Sequence, residues 1–249
     1  MNSLLIGNGY WGNIIKPKLE KITNLVGILD SKSDINYYLK NYDIDIVFVC
    51  SSTKSHYEIV KKCILNNKNV FCEKPFTGDY NDAKELILLS KEKKIKLFID
   101  NVFFYKEFII STNEFKNIKF IWNKYDTNFN ENLYDSLLYH DIYLLLKIYP
   151  KFNINDFKIS ENINKETELI LKLQNENKTI EFKYDRNKNI KEKIIIMDDN
   201  ILDFNKYNND TLSEILIKIN NGFDIDFDLN NEITLKTLEI LKIFKNGKI

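Results

Sequence analysis

Between residues 3 and 100 the chain alternates short aliphatic runs with longer segments of helical period, and that alternation limits the fold more than any other feature. The runs are SLLI (3–6), NLVGIL (24–29), DIVFVC (45–50), NVFC (69–72) and KIKLFI (94–99). Between them, Tyr57, Val60 and Ile64 recur at helical spacing, as do Ala83, Leu86 and Ile87. Strand and helix in repeated alternation predict an α/β fold, a doubly wound parallel sheet covered on both faces. After about residue 103 the pattern changes. One helical stretch at 131–149 precedes strand-like segments at KISEN (158–162), ETELILKLQ (166–174), KTIEFKY (178–184) and EKIIIMD (192–198), which predict a mostly antiparallel, open sheet. Amphipathic helices near 210–220 and 231–245 close the chain, and the Asn/Lys-rich pieces at 126–132 and 205–210 read as surface loops. Two domains are expected, residues 1–102 and an α+β domain over 103–249.

Composition narrows the function. A hydrophobic content of 44% suffices for a core, and 36 basic residues balance 36 acidic ones at a pI near 6.8. Without excess positive charge, neither nucleic acid nor an anionic membrane is an expected partner, which leaves small molecules. Nearly all the basic residues are lysine, Arg186 being the only arginine, so clamping of phosphates by several guanidinium groups is ruled out. Cys50, Cys63 and Cys72 are odd in number and form no C-x-x-C pair, against both a disulfide framework and a zinc site. No basic flank precedes a long apolar region and no apolar run reaches a membrane span, so a cytoplasmic location is expected.

The first strand runs into Gly7-Asn8-Gly9-Tyr10-Trp11-Gly12, a G-x-G-x-x-G pattern at a strand-to-helix turn, where a pyrophosphate would sit. Gly7 permits the turn, Gly9 lets backbone N–H groups approach phosphates, and Gly12 lets the helix pack close. Asp30, at the end of the second strand, is placed to accept hydrogen bonds from an adenosine ribose, which favours NAD over NADP. Ser31 and Lys32 could instead hold a 2′-phosphate, and Asp30 could equally cap the next helix. Pro17 falls inside the predicted first helix, where it should remove a hydrogen bond and kink it. The fourth strand ends at Glu73, Lys74 and Pro75, at the carboxyl rim where such sheets bind ligands.

The stretch CSSTKSHYEIVKKCILNNKNVFCEKP (50–75) resembles the run to the E-K-P signature of the Gfo/Idh/MocA oxidoreductases, NAD(P)-dependent enzymes acting mainly on sugars, polyols and nucleotide-linked sugars. LYHDIYLLLKIY (138–149) is similar to the family helix that carries an active-site histidine, and ITLKTLEILKIFKNGKI (233–249) resembles its final helix and Gly-Lys ending. The resemblance implies a Rossmann domain in which the glycine loop (Gly7 to Gly12), Asp30, Ser51, Ser52, Thr53, His56, Glu73 and Lys74 line the cofactor. His56 orders the cofactor loop or caps its helix. Glu73 would bond the nicotinamide ribose, Lys74 would touch the substrate hydroxyl, and the peptide bond before Pro75 would be cis. His140 would exchange the hydroxyl proton while hydride leaves the same carbon.

Tyr105, Asp135 and Asp141 are expected substrate contacts, although Tyr105 reads equally as a core residue. Two features depart from the family pattern. Relatives place an aspartate four residues before the histidine, where this chain has Ser136, with Asp135 one position earlier and about 100° round a regular helix. The second domain is also short. The implied function is hydride transfer between nicotinamide and a sugar hydroxyl or ketone, on a nucleotide-activated sugar of surface-glycan synthesis, in a homo-oligomer formed through the C-terminal sheet. The alternatives are a cofactor-binding sensor or partner subunit without turnover, and cofactor-assisted glycoside cleavage. No metal is expected.

Overall fold

The computed structural model describes residues 1–108, 115–125, 132–207 and 209–246. Of the expected loops, 126–131 and 208 lie outside the described residues, as does the Gly-Lys ending. The chain divides into two units, Met1–Tyr105 with Asp210–Leu238, and Lys106–Asn209 with Glu239–Ile249.

In the first unit, strands β1 (Asn2–Ile6), β2 (Asn24–Leu29), β3 (Ile46–Val49), β4 (Asn69–Cys72) and β5 (Leu97–Ile99) alternate with helices α1 (Tyr10–Ile22), α2 (Ile35–Asn41), α3 (Thr53–Leu65) and α4 (Tyr80–Glu92), followed by the short α5 (Val102–Tyr105). The sheet is parallel, in the order β2-β1-β3-β4-β5. Chain direction across the sheet therefore reverses between β1 and β3, the switch point at which open α/β sheets take ligands. The strands read as continuous apolar runs because both faces are covered: β3 is buried at all four positions, and Phe48, Phe71 and Phe98 pack side by side across the sheet. Pro17 lies inside α1, which continues to Ile22. Asp34, not Asp30, caps α2, accepting from the N–H groups of Asn36 and Tyr37.

The second unit holds a six-stranded sheet built from β6 (Asn117–Asn123), β7 (Lys158–Asn164), β8 (Glu168–Gln174), β9 (Thr179–Asp185), β10 (Glu192–Met197) and β11 (Asn200–Asp203), in the order β11-β10-β6-β9-β8-β7. Only the β6–β9 pair is parallel. The single helical stretch expected at 131–149 divides into a π-helical turn, Tyr134–Leu138, and α6, Tyr139–Ile148. Residues 139 to 146 of α6 are all buried. Helix α7 (Thr211–Asn220) then returns to the first unit, placing Ile215, Leu216 and Ile219 in the core with Leu5, Ile15, Phe48 and Phe71. Helix α8 (Phe227–Asn246) follows, with Asn230 capping β5 at both its Ile99 N–H (2.8 Å) and Ile99 carbonyl (2.9 Å).

Candidate active site

The carboxyl rim of the first unit is set by three glycines with different duties. Gly7 has φ +109°, and a Cβ there would come within 2.5 Å of the Cys50 carbonyl, so both its conformation and its neighbour demand glycine. A Cβ on Gly12 would lie 2.0 Å from the Gly7 carbonyl oxygen, so α1 closes onto the turn only without a side chain. Gly9 is different: a Cβ there would meet nothing within 4 Å, and its backbone is in the ordinary extended region. The protein itself does not require glycine at this position. Open space over Gly9, at the amino end of a 13-residue helix whose first N–H groups lack intrahelical partners, leaves room for a dinucleotide pyrophosphate. Asn8, Tyr10 and Trp11 are exposed around it, the two rings edge to face at 5.4 Å.

Asp30 follows β2 and is exposed. Its Oδ1 accepts from the Ser33 hydroxyl and the Lys32 N–H, both at 2.9 Å, and the Ser33 bond in particular holds the carboxyl below its usual range. The side chain is thus a fixed, ionised acceptor at the sheet rim.

Beyond β3, Ser51 and Ser52 lead into α3, which begins at Thr53, and the Ser55 hydroxyl donates to Ser51 Oγ at 2.8 Å. His56 is 1% exposed. Its Nδ1 lies 3.1 Å from the Pro75 carbonyl and 3.2 Å from that of Phe76, and its Nε2 lies 2.9 Å from the Ser51 carbonyl. The ring ties the loop after β3 to the segment after β4. The Lys74–Pro75 peptide is cis. Glu73, 4% exposed, accepts the Lys74 N–H on Oε2 at 3.2 Å, and burial with the nearby Asp100 carboxyl pushes its pKa well above the usual range. Tyr105 packs its ring on Phe98 at 5.4 Å, and its hydroxyl is buried within the unit.

In the second unit His140 is 7% exposed on α6, with Nδ1 2.6 Å from the Tyr143 hydroxyl and the Trp122 ring tilted 5.5 Å away. Asp141 is engaged inside the unit: Oδ1 pairs with Lys193 Nζ at 2.6 Å and Oδ2 accepts from the Tyr184 hydroxyl at 2.9 Å. Lys193 also lies 3.6 Å over the Trp122 ring. Ser136, four residues before His140, receives Arg186 Nη2 at 2.5 Å. Asp135 pairs with Lys245 at 2.6 Å. The π turn bears on its one-residue offset, because the bond from the Tyr139 N–H to the Tyr134 carbonyl spans one residue more than an α-helical bond. That extra residue brings the position five before His140 round toward the face that the fourth would hold on a regular helix.

Residues 12–101 match the profile of an oxidoreductase family with an NAD-binding Rossmann fold, Gfo/Idh/MocA. The likeness to that family covers this segment, just over a third of the chain. Myo-inositol 2-dehydrogenase of Thermotoga maritima is 30% identical over 86 residues, 34% of this chain and 26% of that protein. The Escherichia coli oxidoreductase YhhX is 43% identical over 61 residues, 24% of this chain and 18% of its own length. The matches thus span well under half of these relatives. Among solved structures, UDP-N-acetylglucosamine 3-dehydrogenase GnnA from Acidithiobacillus ferrooxidans superposes with a TM-score of 0.82 at 14% identity, over 100% of this chain and 97% of that one. The WlbA (WbpB) dehydrogenase from Thermus thermophilus, in complex with NAD and UDP-GlcNAcA, gives 0.77 at 11% identity over 98% and 94%. At these identities the likeness is one of fold.

Three residues beyond the expected set stand out. Asp100 follows β5 as Glu73 follows β4, and the rule that drew attention to Glu73, charge just past a strand's carboxyl end, finds it too. Tyr143 and Lys193 had no such signal, since an apolar helix face and an alternating strand conceal a hydroxyl and an ammonium that tertiary contacts bring to His140 and Asp141. Among the described residues no helix is long and apolar enough to cross a membrane, and no cluster of three His, Cys, Asp or Glu side chains could hold a metal ion.

Proposed function

We propose that the chain oxidises or reduces a carbinol carbon of a sugar, most specifically a nucleotide-activated sugar, with NAD as the hydride carrier. The supporting observation is the rim itself: open backbone at Gly9 beside the amino end of α1, an ionised Asp30, and Glu73 with Lys74 just past β4. Bound there, NAD supplies the hydride acceptor or donor. The protein's residues do the rest. The α1 N–H groups and Gly9 hold the pyrophosphate, Asp30 accepts from the adenosine ribose, and Glu73 orients the nicotinamide ribose. Lys74 and His140 handle the hydroxyl proton: on oxidation it leaves the substrate oxygen as hydride leaves the carbon, and on reduction both return. Tyr143 holds the imidazole at Nδ1.

The nucleotide-sugar preference draws support from GnnA and WlbA, whose fold the chain shares almost end to end. The outer face of the second sheet, where Lys119 pairs with Glu181 beside Ile121, Ile194 and Ile196, is proposed to meet a second copy, which analytical ultracentrifugation tests. The buried free thiols suit a cytoplasmic compartment.

The test is NADH absorbance against a panel of UDP-sugars and free sugars, with Lys74→Ala and His140→Ala. Both variants should bind NADH as the parent does and lose about 10²–10⁴-fold in kcat. Absence of turnover in the parent with every sugar, NADH binding intact, would favour the sensor reading instead.

A further inference from the structure

Glu73 and Asp100 stand side by side for a topological reason. Strands β4 and β5 pair in register through Cys72 and Ile99, and the Asp100 N–H continues the ladder to the Cys72 carbonyl at 2.9 Å, while the Glu73 N–H reaches the Val49 carbonyl at 2.9 Å. The residues immediately beyond β3, β4 and β5, namely Cys50, Glu73 and Asp100, are therefore lateral neighbours on one rim. In-register side chains of parallel strands leave the sheet on the same side. Both residues are 4% exposed, and the Asp100 charge bears directly on Glu73. Two carboxylates side by side in a buried site cannot both ionise, and one proton between them relieves the pair.

A second observation separates this pair from an ordinary acidic cluster. Asp100 Oδ1 is fully buried with no hydrogen-bond partner, a cost of roughly 1–3 kcal/mol for a polar atom that core packing alone gives no reason to retain. The groups facing the pair are the Lys74 ammonium, the thiols of Cys50 and Cys72, and Tyr105, which Asp226 approaches in turn. Lys74 supplies the only positive charge among these groups, so a singly protonated pair of net charge −1 is the state it balances.

We propose that Asp100 is a positioning residue: it shares one proton with Glu73, and that shared proton holds the Glu73 carboxyl against the Lys74 N–H, fixing the rim segment that faces the nicotinamide end of the cofactor. The consequence for the cofactor rests on the NAD reading above; the shared proton does not. Burial raises both groups, Asp100 to about 6 and Glu73 further, where the Asp100 charge adds to the effect of burial.

Infrared spectroscopy of the cofactor-free protein tests the proton directly. A carboxylic-acid C=O band should persist at about pH 7 in the parent. Its titration midpoint should fall by about one unit or more in both Glu73→Gln and Asp100→Asn, because each removes the like charge. A parent without the band, or an Asp100→Asn midpoint equal to the parent's, would overturn the proposal. NADH affinity measured from about pH 5 to 9 tests the positioning role. The parent should weaken on the alkaline side. Asp100→Asn, whose amide can donate to an ionised Glu73, should lose that limb, and Asp100→Ala should bind about tenfold more weakly throughout. Parallel profiles for the two variants would reduce Asp100 to a packing residue. If NADH fails to bind any form, it is the cofactor reading that falls, and the infrared band still decides the shared proton.

Discussion

At the residue scale, the three glycines of one loop separate folding from function. Gly12 is required by the fold, since a methyl group would have to displace the Gly7 carbonyl 2.0 Å away. Gly12→Ala should therefore lose about 1–3 kcal/mol or more in urea titration, as overpacked sites do. Gly9→Ala should unfold within about 0.5 kcal/mol of the parent, because the backbone there suits any residue and the added carbon touches nothing. If both variants lost stability alike, the duties assigned to the two glycines would be wrong. The steric demands at Gly7 and Gly12 were legible from the G-x-G-x-x-G spacing, as was the position of Glu73 and Lys74 just past a strand. Asp34 as the α2 cap in place of Asp30 was less so, because the sequence offers an aspartate at both positions and only the backbone decides which side chain reaches the first-turn N–H groups.

At the scale of elements, the ion pair between Asp141 on α6 and Lys193 on β10 fastens helix to sheet. The two side chains are 2% and 7% exposed, so removing one leaves the other charged and buried. Lys193→Ala should destabilise the protein by about 3–5 kcal/mol in chemical denaturation, whereas Lys193→Met with Asp141→Leu should recover most of that loss. An unchanged midpoint in the single variant would show that the pair is solvated in solution. Sequence reading found four of the six strands here, β7 to β10, and missed β6 and β11. The central β6 went unread because Ile121 and Trp122 stand together and break the two-residue alternation that marks a half-buried strand. The π turn before His140 was equally hidden, since its residues have the apolar spacing of an ordinary helix and the extra residue is a matter of backbone bonding. The Rossmann strands, buried on both faces, announced themselves as continuous aliphatic runs.

At the scale of the whole molecule, the order of elements in the first unit was readable while its extent was not. Residues 210–238 join that unit through side chains such as Ile215, Leu216 and Asn230, and nothing local in an amphipathic helix says which sheet it will cover. Stability against pH also belongs to this scale. Asp198 is held below its usual range by the N–H groups of Lys116 and Asn117, so its contribution is present above the unfolded value and lost as pH falls through the folded one. The Glu73–Asp100 pair has the opposite sign: its folded pKa values exceed the unfolded ones, so its contribution is present in acid and lost as pH rises through about 6 and beyond. Scanning calorimetry should find the highest Tm on the mildly acid side, falling toward about pH 8, with a flatter alkaline side in Asp100→Asn. An optimum at about pH 8 or above in the parent would contradict that balance.

The most direct measurement is a calorimetric titration of NADH into the parent protein and into Gly9→Val, with Tm recorded for both. Saturable binding by the parent, lost or weakened at least tenfold in a variant whose Tm is unchanged, is the predicted result, because the added side chain enters the open space over Gly9 that the pyrophosphate would take. No heat with the parent, or equal affinity in both proteins, would place the cofactor elsewhere than the carboxyl rim of the first sheet.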